Sequence, residues 1–139
     1  MGSDLMEYQN PALAVDAAVR CGDTVLLIQR GNPPWKGTWA LPGGFVDYGE
    51  DPEVAVLREL KEETGLDGDI VKLIDVKGDP NRDPRKHIVS IVYEVNAEGE
   101  PVGGDDAADA RFWPISDVLN GSLEIAGDHV EILSKWLAE

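Results

Sequence analysis

Apolar and polar positions along this chain alternate in short runs, and most of the runs read as strands. Residues 13–19 and 24–29 are apolar and β-prone, and Cys21-Gly22-Asp23 between them is turn chemistry, so the two predict a hairpin. Residues 31–37 carry two prolines and predict a loop. A short strand resumes at 39–41 and stops at Pro42-Gly43-Gly44. Asp51-Pro52-Glu53 is a helix start, with an Asp cap, Pro at the first helical position and an acidic first turn. Gly65 is a natural left-handed stop for that helix, with Leu66 able to pack back. Residues 69–76 and 88–95 predict strands around a polar loop, 77–87; residues 110–113 a short strand, 116–119 one helical turn, and 129–138 a closing helix. Strand and helix signals are mixed rather than strictly alternating. That pattern predicts an α/β chain of the α+β type, a mixed sheet covered by a few helices.

The helix predicted from Asp51 carries the chemistry. At about 100° per residue, Glu59, Glu62 and Glu63 fall within roughly a 100° arc of one face. Val54, Leu57 and Leu60 are expected opposite them against the sheet, and Ala55 beneath the carboxylates leaves room for a ligand. Like charges three or four apart cost a helix about 0.2–0.5 kcal/mol per pair. A cation removes that repulsion, and carboxylates with room for water suit a hard ion such as Mg²⁺. Three glutamates alone read first as a solvated acidic face. Their surroundings decide the matter. Gly43-Gly44 allows a sharp turn whose carbonyl approaches an ion, and Arg58 with Glu50 can brace the acids.

Taken in order, the residues are Gly44, five others, Glu50, seven others, Arg58-Glu59-Leu60, one other, Glu62-Glu63, one other, Gly65-Leu66. This resembles the Nudix box at each of its defining positions. The resemblance implies an αβα sandwich with the box helix on a mixed sheet, and hydrolysis of a nucleoside diphosphate linked to another group. It implies that Glu59, Glu62 and Glu63, with the Gly44 carbonyl, hold Mg²⁺ or Mn²⁺, and that Arg58 and Glu50 orient that shell.

Length and composition set the frame. The chain has 139 residues, 42% of them hydrophobic, which suits one domain with one core. With 12 basic and 27 acidic residues the net charge is −15. Such a field repels phosphate polymers and excludes a general nucleic-acid binder. No apolar run approaches the roughly 20 residues that span a bilayer, so no membrane partner is expected. The start has neither the basic nor the apolar region of a secretory signal, and Cys21 is the single cysteine; both fit a cytoplasmic protein. Residues 1–8 are expected to be disordered or, in part, an expression remnant, with Met6 a candidate native start. Cys21 is expected to be inert packing, and His87 a strand-edge hydrogen-bonding residue.

Three further segments bear on the substrate. Residues 30–45, 10–16 and 79–90 resemble small archaeal and bacterial ADP-ribose pyrophosphatases, the last through its Arg82-Asp83-Pro84-Arg85 core. Lys77, Arg82, Arg85 and Lys86 concentrate a third of the basic residues in ten positions. The two arginines can present forked donors to a diphosphate, or the loop can simply salt-bridge nearby acids. Arg30 and Trp39 are further substrate candidates; Trp35 and Trp39 can each stack on adenine or serve as core or lid. Glu62 is the chosen proton acceptor. Asp106, after Asp105 on a later loop, is the second candidate or an ordinary surface turn, and glutamates occur only further upstream, at Glu98 and Glu100. The expected reaction converts ADP-ribose to AMP and ribose 5-phosphate. An oxidised or ordinary nucleoside triphosphate, or a dinucleoside polyphosphate, is the alternative substrate. A non-catalytic ADP-ribose sensor is the alternative of another class, although such sensors often lose box carboxylates that this chain keeps. A homodimer is expected, with the apolar N-terminal strand as a possible interface.

Overall fold

The structure is a computed structural model that describes residues 8–139, and the expectation for the N-terminal start lies outside them. The chain runs β1 (Ala12–Ala18), β2 (Arg20–Cys21), β3 (Thr24–Arg30), β4 (Trp39–Ala40), β5 (Gly43–Phe45), α1 (Pro52–Thr64), β6 (Gly68–Lys77), β7 (Ile88–Ala97), β8 (Ala107–Pro114), α2 (Ile115–Leu119) and α3 (His129–Leu137). The first sheet has the order β5-β1-β7-β6, with β1 parallel to β7 and the other pairs antiparallel. The second is antiparallel, with β3 flanked by β2 and β4 on one edge and by β8 on the other. Strand periodicity divides the first sheet cleanly. Val15, Ala17 and Val19 pack on one side with Val56 and Leu60 of α1. Ala18 and Val92 pack on the other with Val25 and Leu27 of β3 and with Ile132, Leu133 and Trp136 of α3. The result is the mixed-sheet, αβα arrangement that the sequence predicts.

Local chemistry fixes α1 at both ends. Asp51 Oδ1 accepts the Glu53 N–H at 2.8 Å, Pro52 follows, and Gly65 closes the helix at φ 76° with its N–H on Lys61 O. Three expectations are corrected. The runs 13–19 and 24–29 do not pair as a hairpin: β1 enters the first sheet, and only the two-residue β2 pairs with β3. Val15, Ala17, Ala18, Val25, Leu26 and Leu27 are all fully buried, and two strands alone cannot bury both of their faces. Val54 is exposed while Val56 is buried, because the arc of α1 that meets the sheet runs through Ala55, Val56, Leu60 and Glu63. Cys21 is exposed on its short strand rather than packed. In the first sheet β1 is an interior strand, between β5 and β7. His87 does hydrogen-bond beside its strand, Nε2 to Gly78 O at 2.9 Å. Among the described residues, no helix is long and apolar enough to cross a membrane.

Candidate active site

A cleft of about 370 Å³ opens where the two sheets, α1 and the start of α3 meet. Its floor is one face of the first sheet, alternate residues of β1 and β7: Ala14, Asp16, Ile88 and Ser90. β5 forms one rim by pairing Val15 with Gly44 and Asp16 with Gly43. Glycine is required at this rim for space. A Cβ on Gly44 would lie 2.5 Å from the Glu59 carboxyl carbon, and one on Gly43 would fall on Val15 O and Asp16 Oδ1.

The carboxylates of α1 take up three distinct positions. Glu63 is 5% exposed, faces the cleft and accepts the Gly43 N–H at 2.8 Å. Burial pushes its pKa up to about 8; the Gly43 N–H opposes this, and the nearby carboxylates Glu59, Asp16 and Asp106 add to it. Glu59 also lines the cleft, and burial raises its pKa against the opposing pull of Arg58. Glu62 stands outside the cleft lining, its side chain 40% exposed and drawn to Arg58 Nη1 at 3.2 Å.

Arg58 is the brace that the sequence predicts. Nε and Nη2 grip Glu50 at 2.7 and 2.9 Å, Nη1 donates to Glu59 at 2.9 Å, and Nη2 also reaches Phe45 O at 3.2 Å. Glu50 further accepts the Asp47 N–H at 3.0 Å, closing the turn before α1. Those bonds, Arg58 first and the backbone second, hold the Glu50 pKa down to about 2.

Among the described residues, no three His, Cys, Asp or Glu side chains close on a single point. The donor set nevertheless fits a hard divalent cation. Glu59 and Glu63 line the cleft together with Asp105 and Asp106, and carboxylate oxygens of this kind suit a hard cation. Glu59 and Glu63, with Gly44 on the rim beside Glu59, are the residues that would hold such a cation, and Glu62 follows on the same helix outside the lining.

The basic residues divide by what already occupies them. Arg82 is spent on structure. Nε and Nη2 bind Asp128 at 2.8 Å each, and Nη1 reaches Ser90 Oγ at 2.8 Å and Ile88 O at 3.3 Å. Arg85 pairs with Asp83 through Nε and Nη2 and stands 5.6 Å from the Phe45 ring. Among the described residues, the guanidinium of Arg30 makes a single hydrogen bond, Nε to Pro34 O at 2.7 Å, and the residue lines the cleft. Burial and then the nearby Arg85 charge lower its pKa, a strain that an anion would relieve. Asp106 lines the cleft and accepts from Asn32 Nδ2 at 3.3 Å.

Trp39 is the candidate that the structure moves elsewhere. It is 8% exposed, packs edge-on to Trp113 with centroids 5.1 Å apart, and is absent from the cleft lining. Trp35 lines the cleft instead, at φ 59°, with its ring over Gly127. Asp16, Asp128 and His129 also line the cleft and were not among the sequence candidates. Asp16 left one trace, a lone acid inside an apolar run. Asp128 and His129 left none.

Comparison with known proteins now adds the family. A family profile described as NUDIX domain matches residues 10–136. The chain belongs to the Nudix hydrolase family. It is 45% identical over 131 residues to an ADP-ribose pyrophosphatase of Methanocaldococcus jannaschii, covering 94% of this chain and 75% of that protein. It is 40% identical over 140 residues to the ADPR responsive transcriptional repressor NtrR of Acinetobacter baylyi, covering 95% of this chain and 55% of the repressor. Among solved structures, the Nudix domain of Shewanella oneidensis NrtR complexed with ADP ribose superposes with a TM-score of 0.84 at 30% identity, covering 94% of this chain and 89% of that one. The Nudix box is thus residues 44–66, with its helix α1 supplying the acidic wall of the cleft.

Proposed function

We propose that this Nudix domain hydrolyses the diphosphate bond of ADP-ribose to AMP and ribose 5-phosphate, with Mg²⁺ as cofactor and Mn²⁺ as a possible substitute. One observation carries the reading. Glu59 and Glu63 line the same cleft as Arg30 and Arg85, so one site offers cation-holding oxygens and guanidinium donors for phosphate. The likeness to the archaeal pyrophosphatase, and to a Nudix domain complexed with ADP ribose, supports that substrate over a triphosphate.

When bound, the cation polarises phosphoryl oxygens and lowers the pKa of water. The chain's own residues do the rest. Arg30, whose outer nitrogens hydrogen-bond none of the described residues, takes the diphosphate, and Arg85 adds a second donor at the rim. Water attacks one phosphorus, the bond from that phosphorus to the bridging oxygen breaks, and a carboxylate takes the water proton. Asp106 is better placed for that task than Glu62, because it faces the cleft while Glu62 is turned out toward Arg58. Arg58 and Glu50 keep Glu59 in position. Trp35 is the aromatic surface available to the adenine.

A second reading, binding without turnover, is favoured by the likeness to the repressor. One experiment separates the two: product release from ADP-ribose, NADH, a dinucleoside polyphosphate and ordinary and oxidised triphosphates, with Mg²⁺ or Mn²⁺. AMP released preferentially from ADP-ribose supports the proposal. Preference for a triphosphate overturns the substrate, and ADP-ribose bound but unchanged leaves the sensor.

A further inference from the structure

Asp16 is buried on the cleft floor, 6% exposed, and the function proposed above gives it no task. Among the described residues, its carboxylate accepts no hydrogen bond. The His129 ring stands beside it, with Nε2 lying 3.7 Å from Oδ2, beyond hydrogen-bond range. The His129 ring is fixed from its other side, where Nδ1 accepts the Leu41 N–H at 3.0 Å. That bond puts the proton of the neutral ring on Nε2, so His129 presents a donor beside the Asp16 acceptor where both line the cleft. The residue is buried except where it meets the cleft, so its carboxylate is open to a ligand there.

The chemistry of the pair selects its occupant. A phosphate oxygen can only accept, so it would satisfy His129 and be repelled by Asp16. An amino group can only donate, so it would leave His129 facing nothing. A hydroxyl both donates and accepts, and serves the two at once. Position narrows the choice further. Asp16 and Glu63 flank the same residue: the Gly43 N–H binds Glu63, and a Cβ on Gly43 would fall on Asp16 Oδ1. The group at Asp16 therefore sits beside the metal-holding wall, within the reach of whatever is attached directly to the diphosphate. In a nucleotide that group is a sugar.

We infer that Asp16 and His129 form a sugar-hydroxyl subsite, in which Asp16 accepts from, and His129 donates to, a hydroxyl of a ribose joined to the diphosphate. The inference rests on the cleft being a nucleotide site but not on ADP-ribose being the nucleotide. Ser90, 4% exposed on the next strand with Oγ accepting from Arg82, leaves its own proton free to extend the subsite.

The test compares kcat/KM for ADP-ribose with that for two analogues, one deoxygenated on the adenosine ribose and one with the terminal ribose replaced by an alkyl chain. The wild type should lose about ten- to a hundred-fold on one analogue, the range for a hydrogen bond to a charged group. Asp16→Asn, which keeps the shape and whose folding is checked by thermal melting, should lose a similar factor on ADP-ribose, mostly in KM. It should lose little more on the sensitive analogue, which has no hydroxyl left to miss. A wild type indifferent to both analogues overturns the subsite without any variant. An Asp16→Asn protein that loses the same factor on every substrate, with a raised metal requirement, overturns it in favour of the cation shell. If the wild type prefers triphosphates, the ADP-ribose reading fails separately, and GTP against its 2′-deoxy and 2′,3′-dideoxy forms puts the same question to Asp16.

Discussion

At the scale of single residues, the box depends on two that touch no substrate. Arg58 serves Glu50, Glu59, Glu62 and Phe45 O together, a task that needs a planar fork. Lysine keeps the charge but cannot span those partners. Arg58→Lys is therefore expected to lower turnover about 10–100-fold, the usual cost of a lost supporting contact around a metal site. The Mg²⁺ concentration for half-maximal rate should rise while the KM for nucleotide stays near its original value; steady-state kinetics at several Mg²⁺ levels separates the two. Gly44 acts through space alone, since its missing Cβ is where the Glu59 carboxylate lies. Gly44→Ala must displace either β5 or Glu59, and displacement on the order of 1 Å costs about a hundred-fold in rate. Rate and melting temperature measured together decide which: loss of rate with an unchanged melt shows that Glu59 moved.

At the scale of elements, the parts legible in the sequence are those made by local chemistry. The ends of α1 were readable because Asp51, Pro52 and Gly65 act on their immediate neighbours. Its rotation was not. Val54, Val56, Leu57 and Leu60 supply apolar side chains around much of the helix, so the buried arc is chosen by where the cleft needs Glu63. β5 was missed because Gly43 and Gly44 have weak strand propensity, and only their pairing with β1 makes them a strand. The Nudix box was legible because its residues share one turn and one helix. The Asp16–His129 approach and the Arg82–Asp128 pair were not, because each joins residues far apart along the chain. The Arg82–Asp128 pair is the tie between loop 78–87 and the start of α3, and it yields an expectation about pH. Burial alone would raise Asp128, but the bonds and charge of Arg82 outweigh it and hold the carboxyl below its ordinary range. A depressed carboxyl contributes stability above the unfolded pKa of about 3.9 and loses it as pH falls through the folded value. Asp128→Asn should thus cost about 2–3 kcal/mol at pH 7 in urea unfolding. The gap to wild type should hold from pH 7 to about pH 5 and narrow only below pH 4. A gap that closes between pH 7 and 5 would mean that Asp128 is not the titrating partner.

At the scale of the whole molecule, the charge of −15 and the acidic wall of the cleft make overlapping claims about cations. Self-repulsion of the surface is relieved by any salt, over a screening length of about 8–10 Å at physiological strength. Sodium chloride alone is therefore expected to raise the melting temperature. A cation held by Glu59 and Glu63 adds a different increment, which grows as the logarithm of its free concentration once that exceeds the dissociation constant. The two contributions separate when MgCl₂ is compared with NaCl at equal ionic strength. A further rise of a few degrees from millimolar Mg²⁺ is expected, since about 1 kcal/mol moves a domain of this size by roughly 3–5 °C. Glu59→Gln with Glu63→Gln should abolish that excess and leave the NaCl response in place. If the excess survives the double change, the cation is bound by the diffuse acidic surface, and the α1 carboxylates lose their assignment as its ligands. If Mg²⁺ and NaCl coincide in the wild type, the cation binds only together with the nucleotide, and the same melts repeated with ADP-ribose present should restore the difference.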